Sequence, residues 1–339
     1  MDTILNQSSQ RFKAIGLVNE LKVTHEPCKI RVKDKDGNDA GMMDGERIYG
    51  KINLAFGGGT HTFDFFFNSL NSNGEDSKQW KTALSIEELN PAVGGDSSLP
   101  TSAVAINGRV SENRFWNSNK NEPSVGIRWN ASGISTSKAT SEDDFGCSLN
   151  GNFFIKSIAN EVKDDVETGR LKVELVGVSY GADPFVINAI VDEDLADDFV
   201  EIYSVGDTAP FSIDVVFDRP VMPKKTNKFG KPPKIDTNNN SYSNSVYMIV
   251  GGDEPIEEPE EVEDEDGNIV TKDNGYISPK AMKMALKERQ TKIDNLSEDS
   301  VTKTKKNKPA TSVSDRKKTM GRGTKVASPV DDDFEEDPF

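Results

Sequence analysis

The sequence predicts a mainly β protein: two tandem small barrels, then a largely disordered C-terminal region with one helix and an acidic tip. Three observations carry this reading. Apolar and polar residues alternate in short runs over about the first 220 residues, with glycines and aromatic clusters among them. Pro, Gly and Ser clusters punctuate those runs. After Pro220 the alternation gives way to charge blocks and Asn/Pro-rich stretches.

The first module is placed at residues 11–90. RFKAIGLVNELKV opens it, with Phe12, Ala14 and the Gly16–Val18 region on a curving strand. CKIRVKD alternates again and runs into Asp36-Gly37, a turn signal. ERIYGKINLAF carries Ile48, Ile52 and Leu54, with Gly50 read as a bulge. Gly57-Gly58-Gly59 precedes a strand rather than a helix, so it reads as a turn and not as a phosphate cradle. KQWKTALSIEEL follows, with Trp80, Leu84 and Leu89 near one helical face. Residues 90–101, rich in Pro, Gly and Ser, read as a linker.

The second module is placed at 102–220, with strands in AVAINGRVSENRFW, SVGIRWNASGI, NFFIKSIANEV, RLKVELVGVSY, PFVINAIV and FSIDVVF, and a short helix in DEDLADDFVEIY. Gly16-Leu17-Val18-Asn19-Glu20 and Gly108-Arg109-Val110-Ser111-Glu112 share a Gly-x-Val-x-Glu pattern, a weak repeat signal for two similar modules. The third region is 221–339. There VYMIV is a short apolar run suited to docking on the core. Residues 279–296 read as one helix, with Ser278 as N-cap, Pro279 in the first position, and Met282, Leu286, Ile293 and Leu296 in a stripe. Residues 301–325 form a basic linker and 331–339 an acidic tip. Each module has the size of a five-stranded oligonucleotide/oligosaccharide-binding (OB) barrel; an immunoglobulin-like sandwich fits the same strand count.

The net charge of −16 over 339 residues speaks against general nucleic-acid binding, but a local groove potential decides such binding, not the sum. No apolar run of about 18 residues predicts a membrane helix. The two cysteines, Cys28 and Cys147, argue for a reducing compartment, and the cytoplasm is the expected location, that of the host if the chain is phage-encoded. His25-x-x-Cys28 has a spacing seen in zinc sites, but a four-ligand site would need His61 and Cys147 to meet it across two modules. No nucleotide-binding or hydrolase motif is present. The reading is therefore a binding protein, without enzymatic activity or cofactor.

Single strands are held by aromatic rings interleaved with cations, because every base has a face and every nucleotide a phosphate. In module one the candidates are Arg11; Lys29, Arg31 and Lys33 at period two; Arg47, Tyr49 and Lys51 at the same spacing; and Phe66, the odd ring out in Phe63-Asp64-Phe65-Phe66-Phe67. In module two they are Arg109, Arg114, Trp116, Arg128, Trp129 and Lys156, with an interior position as the alternative for each Trp. Acidic clusters at 142–144, 161–167 and 192–201 either face away from nucleic acid or mark module two as a dimerisation unit, so a homo-oligomer is compatible with the layout.

The C-terminal residues DDDFEEDPF place Asp331, Asp332, Asp333, Phe334 and Asp337 before Pro338 and Phe339. This layout resembles that of bacterial and phage single-stranded DNA-binding proteins: β-barrel core, polar linker, acidic tip ending in a hydrophobe. The resemblance implies coating of single-stranded DNA in phage replication, recombination or repair. It also implies recruitment of partner enzymes through the tip, where Phe339 would fill an apolar pocket and the acids would steer. A phage structural or assembly protein with an acidic tail is the rival expectation.

Overall fold

Period-two alternation dominates the fold. A computed structural model describes residues 10–218 apart from 140, 164 and 180, together with 244–259, 274–297, the short stretches 261–263 and 269–271, and Leu5. The basic linker 301–325 and the acidic tip 331–339 lie outside the described residues.

Strand β1 (Arg11–Lys33) buries Phe12, Ala14 and Val18 on one face of its first half. It turns at Asp36-Gly37 into β2 (Asp39–Phe56), Gly37 having φ 84°. Gly57 and Gly58, at φ 55° and 78°, lead into β3 (Gly59–Asn68). Two successive positive φ values suit a type I′ hairpin, so glycine is needed here for backbone geometry. Helix α1 (Trp80–Leu84) runs into a 3₁₀ turn, Ser85–Glu88. The tighter turn shifts the phase of the stripe, so Ala83 and Ile86 are buried while Leu84 stays exposed.

Residues 90–101 are a strapped loop inside the first barrel, not a linker. The Ala92 and Val93 N–H groups donate to the carbonyls of Val18 and Asn19, and the Asn90 amide reaches the carbonyls of Asp96, Leu99 and Pro100. Strand β4 (Ala103–Asn117) then pairs with β1, and β5 (Glu122–Thr136) pairs antiparallel with β4 and parallel with β3. The ladder β1-β2-β3-β5-β4-β1 closes a five-stranded OB-like barrel. Three strands alone would leave two open edges, which β4 and β5 close. Barrel one therefore spans 11–136, and the expected boundary at 90–102 is corrected.

Strands β6 (Gly146–Lys163), β7 (Val166–Ser179), β8 (Asp183–Val191), β9 (Thr208–Asp218) and β10 (Asn244–Gly252) repeat the scheme, with α2 (Glu193–Ile202) between the third and fourth. Their order is β6-β7-β8-β10-β9-β6, with β8 and β10 parallel. Barrel two is thus built from residues within 146–252 rather than 102–220, and VYMIV is its closing strand. The Gly-x-Val-x-Glu match relates the first and fourth strands of one barrel, so it is not a repeat of modules.

The barrels are joined by backbone. Arg11–Ile15 of β1 pairs antiparallel with residues 146–150 of β6, and one buried apolar cluster runs through both barrels. The remaining strands, β11 (Glu261–Glu263) and β12 (Ile269–Thr271), make a separate two-stranded ribbon. Helix α3 (Pro279–Asp294) starts at Ser278 with Pro279 in its first turn, and no helix among the described residues is long and apolar enough to cross a membrane. It lays Met282, with Leu286 partly buried, on Phe154, Val176 and Val178 of barrel two. That contact explains the unbroken burial from Leu175 to Val178 in β7: the inner face meets the core and the outer face meets α3. Met282→Ala should lower stability by about 2–5 kcal/mol. Met284→Ala, at an exposed position, should change it by less than about 0.5 kcal/mol. Urea denaturation of the two variants checks this.

Candidate nucleic-acid interface

The outer face of barrel one follows from the same alternation. Ile48, Ile52, Phe63, Phe65, Phe67, Val110 and Trp129 point inward and are buried, so their neighbours point out. Register sets Tyr49 opposite Phe66, Lys51 opposite Asp64 and Arg47 opposite Asn68. Asp64 lies beside Asn130 on β5, Arg109 faces Asn130 and Ser111 faces Arg128. Gly50 lies in regular register, not in a bulge; the ladder of β1 and β2 is irregular instead at Val18/Glu20 and Val32/Lys33. A Cβ at position 50 would come 1.9 Å from the Lys22 carbonyl oxygen, so glycine lets β1 close over β2 between Tyr49 and Lys51.

Phe66 is 55% exposed, a large ring in water. The Arg47 guanidinium carbon sits 4.8 Å from its centroid, and Arg47 Nε donates to Asn68 Oδ1 at 3.3 Å. Asp64 holds two more cations, Arg128 Nε at 3.1 Å and Lys51 Nζ at 3.7 Å. Arg11 and Arg109 are exposed and have no ion-pair partner among the described residues. An aromatic pair thus lies among cations on one sheet surface, the arrangement that stacks bases and neutralises phosphates.

The other sequence candidates lie elsewhere. Lys29, Arg31 and Lys33 do share an exposed face of β1, with Ile30 and Val32 buried between them. Acids across the hairpin neutralise two of them: Lys29 meets Asp44 at 2.5 Å, and Arg31 pairs with Asp39. The hydrogen bond from Arg31 holds the Asp39 carboxyl below its ordinary range. Trp129 is corrected to a core residue, 2% exposed. It packs edge-on to Phe12 and His61 and stacks on Tyr247 of barrel two at 6.0 Å, because it follows the outward-facing Arg128. Arg114 is corrected to a half-buried ion-network residue bound to Glu112 and Asp183. Burial is the largest single influence and opposes its charge, but the hydrogen bonds and charges of Glu112 and Asp183 together outweigh it and raise its pKa. Trp116 is half-buried, with Nε1 enclosed, on the same strand face as Glu112 and Arg114. Lys156 lies on barrel two and is paired with Glu174 at 2.8 Å.

Sequence reasoning missed one ring, Phe115, which is 42% exposed. Adjacent aromatics on a strand point to opposite faces, and counting parity from buried Val110 selects Phe115 rather than Trp116. Barrel two presents no ring at the corresponding outward positions: β7 shows Lys172, Glu174 and Val176 opposite Ile190, Asn188 and Val186 of β8.

The zinc spacing does not assemble. His25 and Cys28 are three residues apart on one strand, so they face opposite sides roughly 10 Å apart. His25 meets Glu87 and Glu46 at 3.3 and 3.6 Å, while Cys147 is buried, its thiol pKa raised by that burial. No group of three or more His, Cys, Asp or Glu among the described residues is placed to hold a metal ion. A cleft of about 460 Å³ between the barrels is lined by Asp143, Asp144 and Asp214 with Lys13, an acidic setting unsuited to phosphate.

The YorF family model matches residues 18–298, which cover most of both barrels and all of α3. The chain belongs to the YorF family. No curated protein matches it. Among solved structures, wild-type single-stranded DNA binding protein from Thermus aquaticus is similar with a TM-score of 0.39 at 10% identity, over 76% of this chain and 98% of that one. A deletion mutant of the same Thermus aquaticus protein gives 0.38 at 10% identity, over 74% and 96%.

His61 supplies a pH signature. Its ring lies against Phe63 and Trp129, and burial lowers its pKa from 6.5 to about 4. The unfolded chain binds the proton first as pH falls, so this contribution is complete above about pH 6.5 and is lost progressively towards pH 4. His61→Leu should reduce the stability lost over that window by roughly 2–3 kcal/mol, measured by urea denaturation at both pH values.

Proposed function

We propose that this protein binds single-stranded DNA on the outer face of barrel one and acts by binding, not by catalysis. The observation that carries this is the Tyr49–Phe66 cross-strand pair, Phe66 exposed and Tyr49 half-buried, with Arg47 over the Phe66 ring and Lys51 and Arg128 on the same face. Bases stack on the rings, with little sequence preference because every base has a π face. Phosphates exchange with Asp64 for Lys51 and Arg128, which is feasible because exposed ion pairs are worth only about 0–1 kcal/mol. The strands β2 and β3 that carry the site are those an OB barrel commonly presents to oligonucleotides.

Within this reading the protein coats exposed strands during replication, recombination or repair, in a phage-infected cell for a phage-encoded chain. Segment 331–339 brings in partner enzymes: Phe334 and Phe339 offer apolar anchors, while Asp331, Asp332, Asp333 and Asp337 steer towards a basic surface.

Two measurements test the proposal. Fluorescence anisotropy with a labelled oligothymidine should show submicromolar binding at low salt, with a log–log salt slope of about −2 for the three cations named. Tyr49→Ala and Phe66→Ala should each weaken it by about 1–3 kcal/mol, roughly 5- to 150-fold. No binding at low salt would instead favour the structural or assembly reading. Removing residues 331–339 should tighten binding at low salt and leave it unchanged at high salt, because the anionic segment competes for the same cations.

A further inference from the structure

Beyond Val110 the β4–β5 hairpin continues past barrel one, and its two faces differ. Asn113 and Phe115 lie on the face that carries Ser111 and Arg109; Glu112, Arg114 and Trp116 lie on the other. That second face is bolted to barrel two. The Glu112 side chain is 1% exposed and accepts from Arg289 of α3, through Nε at 2.9 Å and Nη2 at 2.6 Å, and from Arg114 Nε at 2.5 Å. Arg114 Nη2 donates to Asp183 at 3.0 Å and to the Pro184 carbonyl at 3.2 Å, at the head of β8. Lys292 of α3 meets the same Asp183 at 3.0 Å.

The apolar contacts of α3 seat it on Phe154, Val176 and Val178 of barrel two, and they do not dictate where the hairpin lies. The ion network does. Bidentate arginine–carboxylate bonds are directional, and a buried pair specifies one geometry more than it adds net stability. Phe115 is held out in solvent, 42% exposed, on the face opposite the clamp.

We propose that Arg289 is a positioning residue for nucleotide binding: by clamping Glu112 it fixes the β4–β5 hairpin so that Phe115 extends the stacking surface begun by Tyr49 and Phe66. This rests on the single-strand reading above. The bound group is a nucleobase, and the clamp itself touches no phosphate.

The experiment is a set of oligothymidine titrations by anisotropy. Phe115→Ala should weaken binding about tenfold, the loss of one stacked base. Arg289→Ala should weaken it five- to tenfold while leaving the log–log salt slope unchanged, whereas a direct phosphate contact would reduce that slope by about one. In the Phe115→Ala background Arg289→Ala should cost nothing further; combined with Phe66→Ala it should add its full effect. If Arg289→Ala fails to fold, judged by its thermal melt, Glu112→Gln keeps the shape of the clamp without its charge and should show the same dependence on Phe115. An unchanged affinity in Arg289→Ala, a loss fully additive with Phe115→Ala, or a shallower salt slope would each overturn the proposal. Failure of the single-strand reading looks different: wild type would not bind, or Tyr49→Ala and Phe66→Ala would bind as wild type does.

Discussion

The described fold depends on four residues near the start of β1 being paired along both edges. Phe12–Ile15 has β4 on one side and β6 on the other, and β2 takes over from β6 only at Leu17. One strand therefore closes barrel one and begins the contact with barrel two. A strand committed on both sides has no free edge to template wrong pairing, and it fixes the barrels by backbone hydrogen bonds rather than by a linker. The side chains at the junction follow. Phe12, on this segment, stacks on Phe63 at 5.2 Å and meets Trp129, which reaches Tyr247 of barrel two. Phe56 likewise packs on Phe217 from the other barrel.

With the barrels fixed, their outer faces have diverged in chemistry. On barrel one the strands after the first carry Tyr49, Phe66 and four cations, and Phe66 is left exposed among the described residues. On barrel two the equivalent strands carry Val176, Val178 and Val186, and α3 seals them. Apolar side chains of that shape suit a helix, whereas bases need planar rings. The same topology thus yields a face of rings and cations in one barrel and a seat for a strut in the other. The strut returns to barrel one through Arg289 and Glu112, so the copy without rings supports the copy with them.

Much of this was legible in the sequence. Strand alternation gave most of the strands, the short acidic segment gave α2, the cap and apolar stripe gave α3, and parity marked Arg47, Tyr49, Lys51 and Phe66 as outward. What was not legible were contacts set by distant pairing. Residues 90–101 have linker composition, but the hydrogen bonds to Val18 and Asn19 that hold them as a loop involve backbone, which composition does not encode. The barrel boundary was misplaced for the same reason: whether β4 pairs with β1 or starts a new sheet is a long-range choice. Arg114 and Trp129 were misassigned because nearness to a charge or ring in sequence says nothing about facing. Arg114 shares its face with Glu112, and Trp129 follows Arg128 into the interior. Counting parity onward from Val110 would have recovered Phe115.

The net charge of −16 need not contradict an anion-binding face. At physiological ionic strength the Debye length is about 8 Å, so acids on remote surfaces, such as Glu193, Asp194, Asp197 and Asp198 on α2 of barrel two, are largely screened from the cations of barrel one. Asp64 is the acid that matters, since it lies between Lys51 and Arg128. Holding those two side chains extended lowers the entropy lost when they meet phosphate, while its own charge opposes the incoming anion. The two effects act on different quantities. On the proposed reading, pre-organisation would favour a defined strand path over the face, and the competing charge would keep binding per nucleotide reversible. On the proposed single-strand reading, a surface that holds a strand and later releases it needs both, so an aspartate among the cations is consistent with that proposal.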